Sequence, residues 1–102
     1  MGRDYKVVFA NDNPLGLENL GCCIPQACAI VVKDGQHPVE EADTLIHEIF
    51  HAVWYCMHIP GSGAGEEEVV RRMASGFMGV LMDNPHLLKY LSSIKNSTKL
   101  EP

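Results

Sequence analysis

The sequence contains no run of about 18 apolar residues, the length that a membrane-spanning helix requires. Its opening residues, MGRDYKVVFA, also lack the long apolar stretch and the small-residue cleavage site of a secretory signal peptide. These absences predict a cytoplasmic protein that does not bind membranes. At 102 residues the chain has room for one hydrophobic core, so we expect a single domain that spans residues 1–102.

Basic residues are few and scattered along the chain. There are 8 Lys and Arg against 13 Asp and Glu, which gives a net charge of −5, and the one adjacent basic pair is Arg71-Arg72. A protein that binds phosphate backbones needs clustered positive charge. We therefore expect no nucleic-acid partner.

The sequence has no Cys-x-x-Cys motif, although it contains the four cysteines Cys22, Cys23, Cys28 and Cys56. Adjacent cysteines on a strand point to opposite faces, so Cys22 and Cys23 are poorly arranged to bind one metal ion. This spacing disfavours a thiolate zinc site. Without a signal peptide we expect the four side chains to be reduced thiols.

The first third of the chain predicts a small β-sheet. Residues 5–10 are rich in β-formers, and residues 21–23 and 28–32 flank a four-residue connection that is typical of a hairpin. We expect a mostly antiparallel sheet of about three strands. Residues 28–32 would be the strand nearest in sequence to the metal motif described below.

The rest of the chain predicts about three helices, which together with the sheet indicates an α+β fold. Pro38, followed by Glu40 and Glu41, suits a helix N-terminus. The Gly-rich residues 61–65 predict a surface loop, and Asn84 is expected to be the N-cap of the last helix. The expected helices cover residues 38 to 57 or 58, 66–82 and 84–94, and the polar tail 95–102 is expected to fray.

A His-Glu-x-x-His segment, formed by His47, Glu48 and His51, lies inside the first expected helix. Residues four apart share a helix face, so both imidazoles can reach one ion, with Glu48 beside the open side of the metal. Asp43 and Trp54 fall on the same stripe at about 100° per residue. Most other positions of this helix are apolar, which predicts a buried helix whose histidines need partners.

A catalytic zinc ion keeps three protein ligands and one open position. Three consecutive carboxylates, Glu66, Glu67 and Glu68, begin the second expected helix. Glu68 shares a face with Arg71, so its expected role is solvation. Glu67 lies at the edge of the apolar stripe, one turn before Val70, where a carboxylate can reach a neighbouring helix. We choose Glu67 as the third ligand and keep Glu66 as the alternative; a third option is that all three glutamates only charge the helix start.

Two segments, TLIHEIFHA at residues 44–52 and EEVVRRMA at residues 67–74, resemble the gluzincin pattern of His-Glu-x-x-His followed by a glutamate that opens the next helix. ImmA/IrrE-type metallopeptidases are similar in having a ligand glutamate seven residues before an alanine, which maps onto Glu67 and Ala74. Short phage and prophage metallopeptidase-like proteins also resemble most of the chain, including the ending DNPHLL at residues 83–88. The resemblance implies a minimal zincin-like fold, a Zn²⁺ cofactor and, for a phage gene, the cytoplasm of a bacterial host.

The chain departs from the thermolysin-like pattern at one position. Thermolysin-like enzymes place an aspartate four residues after the ligand glutamate to orient a zinc-binding histidine, whereas this chain has Arg71 there. A different carboxylate is needed to hold the histidine. We expect Asp43 or Asp83 to take this role.

These features predict a zinc metallopeptidase with a protein or peptide substrate, in which Glu48 takes a proton from a zinc-bound water and passes it to the leaving amine. If residues 28–32 form an edge strand beside the cleft, an extended substrate can pair with them. The candidate oxyanion donors are Tyr55, His58, His86 and Tyr90. The alternative is a non-catalytic, zinc-stabilised protein-binding module of phage or prophage origin, in which the metal contributes much of the folding free energy.

Overall fold

A computed structural model describes residues 4–11, 20–61 and 63–97, with side chains to residue 94. The chain forms strands β1 (Lys6–Ala10), β2 (Gly21–Ile24) and β3 (Ala29–Lys33), with a 3-10 turn at Pro25–Ala27, followed by helices α1 (Pro38–Cys56), α2 (Ala64–Asp83) and α3 (Pro85–Ser97). The expected α+β fold is confirmed. In the described part of the chain, none of the helices is long and apolar enough to cross a membrane.

The three strands form one mixed sheet in the order β1-β3-β2. β2 pairs antiparallel with β3, with Cys22 opposite Val31, whereas β1 pairs in parallel with β3, with Val8 opposite Val31. The expectation of an antiparallel sheet is therefore correct for the hairpin and wrong for β1. The condition that residues 28–32 form an edge strand is not met, because β3 pairs with a strand on both sides. The uninterrupted apolar run from Ala29 to Val32 is typical of such a central strand.

The core lies between the sheet and α1. Ile30 and Val32 of β3 are buried against Ala52 of α1, and Leu45 and Ile49 pack beside them. α1 is only half covered, because among its residues only Glu48 and Ala52 are buried. The expectation of a buried first helix is therefore wrong for most of its surface.

α2 packs on α1 through two buried side chains and one aromatic pair. Val70 and Ala74 are buried, and the rings of Phe50 and Phe77 lie 5.7 Å apart across the two helices. The rest of the apolar stripe of α2 is exposed, namely Val69, Met73, Phe77 and Val80. Since α1 offers only one face, most of this stripe stays uncovered by the described part of the chain.

Local contacts determine where the helices begin and end. The backbone N–H of Val39 donates to His37 Nδ1 at the start of α1, and Trp54 Nε1 donates to the carbonyl of Gly61, which holds the α1–α2 connection. α2 begins at Ala64, two residues before the expected start. Asn84 Nδ2 donates to the Val80 carbonyl, so this side chain caps the end of α2. α3 continues to Ser97, beyond the expected end at 94, and residues 98–102 of the expected tail lie outside the described residues.

Gly21, the first residue of β2, lies directly against α1. A Cβ atom at this position would be 2.7 Å from Thr44 Cγ2, 3.0 Å from the Val31 carbonyl oxygen and 3.4 Å from Glu48 Cγ. A methyl group at this position therefore requires the Thr44 side chain or the strand to move. The glycine therefore allows β2 to approach α1 at the position of Glu48.

We expect Gly21→Ala to lower the free energy of unfolding by about 1–3 kcal/mol, the usual cost of overpacking a close contact. Urea unfolding measures this change. Gly76→Ala is the matched control, because a Cβ atom at Gly76 in the middle of α2 meets nothing within 4 Å. The control should be neutral or stabilise by up to about 1 kcal/mol, since alanine favours helix. Equal unfolding free energies for Gly21→Ala and the unmodified protein would contradict the close approach.

Candidate metal centre

Three side chains from two helices converge at one point. His47 and His51 lie one turn apart on α1, and their Nε2 atoms are 3.2 Å apart. Glu67, in the first turn of α2, brings one carboxylate oxygen to 2.9 Å from His51 Nε2 and the other to 3.0 Å from His47 Nε2. In the described part of the chain this is the one group of three His, Cys, Asp or Glu side chains arranged to hold a metal ion.

The spacing of these atoms fits a tetrahedral ion. Zinc bonds of about 2.0–2.1 Å at the tetrahedral angle place two ligand atoms about 3.3–3.4 Å apart. The two Nε2 atoms, 3.2 Å apart, are close to that value, and each lies 2.9–3.0 Å from a different oxygen of Glu67. Two imidazole nitrogens and one carboxylate also form the donor set of a catalytic zinc site with one open position.

The three consecutive glutamates at the start of α2 have different partners. Glu67 contacts the Nε2 atoms of both histidines, whereas Glu66 accepts a hydrogen bond from His51 Nδ1 at 2.7 Å. Glu68 turns away and pairs with Arg71 and Arg72, and these bonds lower the pKa of its carboxyl group. The structure thus brings Glu67 to the two histidines and places Glu68 on the exposed face of α2.

Glu48 is buried beside the histidines, with an exposed fraction of 9%. Loss of solvent raises the pKa of Glu48, while the positive charges of His51 and His47 lower it. Gly21 contributes to this burial, because β2 approaches the Glu48 side chain closely there. A buried carboxylate with a raised pKa beside a candidate metal site is a candidate proton acceptor.

Two hollows flank the candidate site and meet at Glu48. The aromatic hollow contains His51 and Glu66, and its remaining lining residues are Cys23, Pro25, Trp54, Tyr55, His58, Ile59 and Gly61. The polar hollow contains His47 and Glu67, and its remaining lining residues are Leu20, Gly21, Asp43, Thr44 and Arg71. The two hollows share Glu48 as a lining residue, and together we call them the groove.

Some of the candidate oxyanion donors and orienting carboxylates lie near Glu48, and others lie far from it. Tyr55 and His58 line the aromatic hollow with Glu48, whereas His86 and Tyr90 line a separate hollow at the far end of α2. Asp83 ends α2, about 24 Å from Glu67 at a rise of 1.5 Å per residue. The structure therefore excludes Asp83 as an orienting residue by distance and leaves Asp43 beside His47.

The cysteines do not form a second metal site in the described structure. In the part of the chain that the structure describes, none of the four is in a disulfide. Burial raises the pKa of Cys23 to about 12, so this side chain in the aromatic hollow is protonated at neutral pH in the metal-free protein. The Cys23 thiol is therefore not an activated nucleophile.

The pKa of His51 results from opposing effects. Burial lowers it, but the hydrogen bond to Glu66, the charge of Glu48 and the bond to Glu67 outweigh burial and raise the pKa above 6.5. In the metal-free protein, protonated His51 therefore contributes to the free energy of unfolding. This contribution is fully present below about pH 6.5 and is lost as the pH rises through the pKa of His51 in the folded protein. A metal ion that binds His51 Nε2 must displace the proton that protonated His51 carries on this nitrogen.

We therefore expect zinc binding to release a proton and to weaken as the pH falls. Below the raised pKa of His51, apparent zinc affinity should decrease about tenfold per pH unit. Titration calorimetry at pH 6.5 in two buffers with different ionisation enthalpies measures the number of protons released. Binding that releases no proton and has the same affinity at pH 6 and pH 8 would contradict a ligand role for His51.

Sequence reasoning missed three features of this site. It did not anticipate that Gly21 brings β2 against Glu48, that Cys23 lines the groove or that Glu66 contacts the second nitrogen of His51. The one available signal was the glycine that opens the hairpin, since glycine in a strand often marks a close approach. No family model, curated protein or solved structure matches the chain.

Proposed function

We propose that this protein is a zinc-dependent metallopeptidase with a minimal zincin-like fold, related in its logic to the phage and ImmA/IrrE-type enzymes that it resembles. The observation that carries the proposal is the convergence of His47, His51 and Glu67 beside the buried Glu48. Two histidines and one glutamate are the ligands of one class of zinc peptidase, and a glutamate after the first histidine is its base. We place its activity in the cytoplasm.

Zinc bound here would supply a water of lowered pKa and polarise the carbonyl of the scissile peptide bond. Glu48 accepts a proton from the attacking water and gives it to the leaving amine nitrogen as the C–N bond breaks. Its burial supports this role because a raised pKa makes the carboxylate a stronger proton acceptor. Tyr55 and His58 line the same hollow, so we assign the oxyanion donor to this pair.

The substrate would be an extended peptide that crosses the groove. β2 lies at one edge of the sheet. Among the strands that the structure describes it pairs with β3 alone, so its second edge pairs with none of them. β2, rather than residues 28–32, is therefore the strand to which a peptide can add. Side chains of the peptide would enter the aromatic and polar hollows on either side of Glu48.

The second candidate function is a zinc-stabilised module that binds another protein without cutting it. The observation that favours it is the exposed apolar stripe of α2, where Val69, Met73, Phe77 and Val80 are all exposed by 38% or more. Apolar surface of this kind often marks a protein interface. Burial of Glu48 favours the peptidase, since a purely structural zinc site has no use for a base.

Peptide cleavage with and without metal tests the proposal. The zinc-loaded protein is incubated with a peptide mixture prepared by digesting a bacterial lysate, and new termini are identified by mass spectrometry. We expect new termini that disappear when a zinc chelator is added and return when zinc is restored. Stoichiometric zinc without any new termini would favour the binding module.

A further inference from the structure

Adjacent carboxylates contact the two different nitrogens of one imidazole ring. Glu66 lies 2.7 Å from His51 Nδ1, and Glu67 lies 2.9 Å from His51 Nε2. Neighbouring residues on a helix point about 100° apart. The first turn of α2 therefore places one carboxylate on each side of the His51 ring, and only the Glu67 side also faces His47.

The contact with Glu66 determines which nitrogen of His51 is available to a metal. An ionised carboxylate can only accept a hydrogen bond, so His51 Nδ1 must carry the proton of this pair. With Nδ1 held by Glu66, the nitrogen at which a metal can replace a proton is Nε2, which lies toward His47 Nε2 and Glu67. The distance of 2.7 Å is short, as is usual for a charge-assisted bond. The Glu66 side chain is also more covered than that of Glu67, with 22% against 53% exposed.

We propose that Glu66 is a positioning residue, which holds His51 with Nδ1 protonated and thereby presents Nε2 to the metal. Metal-binding histidines commonly donate their second ring N–H to a carboxylate that fixes the orientation of the ring. In this chain the orienting carboxylate immediately precedes the ligand glutamate, so Glu66 takes the role expected of Asp43 or Asp83. The inference rests on the metal site of the proposed function.

Zinc affinity measured by chelator competition tests the separate roles of the glutamates. We expect Glu66→Ala to weaken zinc binding by about 10- to 100-fold, the usual effect of removing an orienting partner. Glu66→Gln should keep most of the zinc affinity of the unmodified protein, because the glutamine amide oxygen still accepts a hydrogen bond from Nδ1. Glu67→Gln should weaken binding more than Glu66→Ala does. Glu68→Gln is the matched control in the same helical turn and should remain within about twofold of the unmodified protein, since its carboxylate faces the arginines.

Long-range ¹H–¹⁵N spectra of the histidines supply a readout that a merely structural role would not change. In the zinc-loaded protein we expect His51 to be protonated at Nδ1 and metal-bound at Nε2. Glu66→Ala should lose or broaden the Nδ1–H signal while circular dichroism stays unchanged. Unchanged affinity and an unchanged tautomer in Glu66→Ala would overturn the inference and leave the zinc site intact. A larger loss for Glu66→Gln than for Glu67→Gln would reverse the two roles. No zinc binding by the unmodified protein would overturn the proposed function itself.

Discussion

Glu48→Gln should lower peptide cleavage by the zinc-loaded protein by a factor of about 10²–10⁴, the usual contribution of a general base. Glutamine has nearly the same shape as glutamate but cannot take a proton from water. Because Glu48 is not among the three converging ligand residues, zinc should stay bound. Rates of appearance of new termini in the peptide mixture, with zinc content measured on the same samples, give both values.

The free energy of unfolding of Glu48→Gln can be compared with that of the unmodified protein. Glu48 is buried and its pKa is raised by loss of solvent, so replacing it with a neutral amide should not lower the free energy of unfolding of the metal-free protein. A loss of activity in Glu48→Gln is therefore not explained by unfolding. Cleavage at the unmodified rate with zinc in place would contradict the role of Glu48 as a base.

Removing zinc should lower the thermal stability of the protein strongly. A ligand present at about 1,000 times its dissociation constant stabilises the folded state by about 4 kcal/mol. In a domain of this size, that free energy corresponds to a shift in Tm on the order of 15–30 °C. The described core is small, with Ile30, Val32 and Ala52 at its centre, so the metal would supply a large share of the total stability.

Differential scanning calorimetry with and without a zinc chelator measures this shift. His51→Ala should abolish most of it, because the variant lacks a ligand. Arg72→Ala is a matched control, since its side chain is exposed and pairs with Glu68 rather than with the histidines. The same Tm for zinc-loaded and metal-free protein would show that the metal does not contribute to folding stability.

Part of this arrangement follows from local rules. His47 and His51 are four residues apart, so any helix through them places both imidazoles on one face. Pro38 and the carboxylates after it indicated the start of α1, and that helix begins at Pro38. The hairpin of β2 and β3 was also recognisable from two apolar segments and a short connection.

Other features depend on how distant segments pack and could not be predicted from local sequence. The edge of the apolar stripe favoured Glu67 over Glu66 as the ligand, but the contact of each glutamate with a different nitrogen of His51 depends on how α1 and α2 cross. The parallel pairing of β1 with β3 likewise depends on which sheet edge β1 joins, and strand propensity contains no information about that choice. The burial of Glu48 results from the approach of Gly21 in another strand.

A zinc-edge anomalous difference map from crystals of the zinc-loaded protein tests the central claim most directly. We predict a single strong peak about 2.0–2.2 Å from His47 Nε2, His51 Nε2 and one carboxylate oxygen of Glu67. Glu66 should remain on His51 Nδ1, and the fourth position should face the Glu48 carboxylate. The absence of a peak between these residues, or a peak held by Glu66 or by the cysteines, would contradict the account.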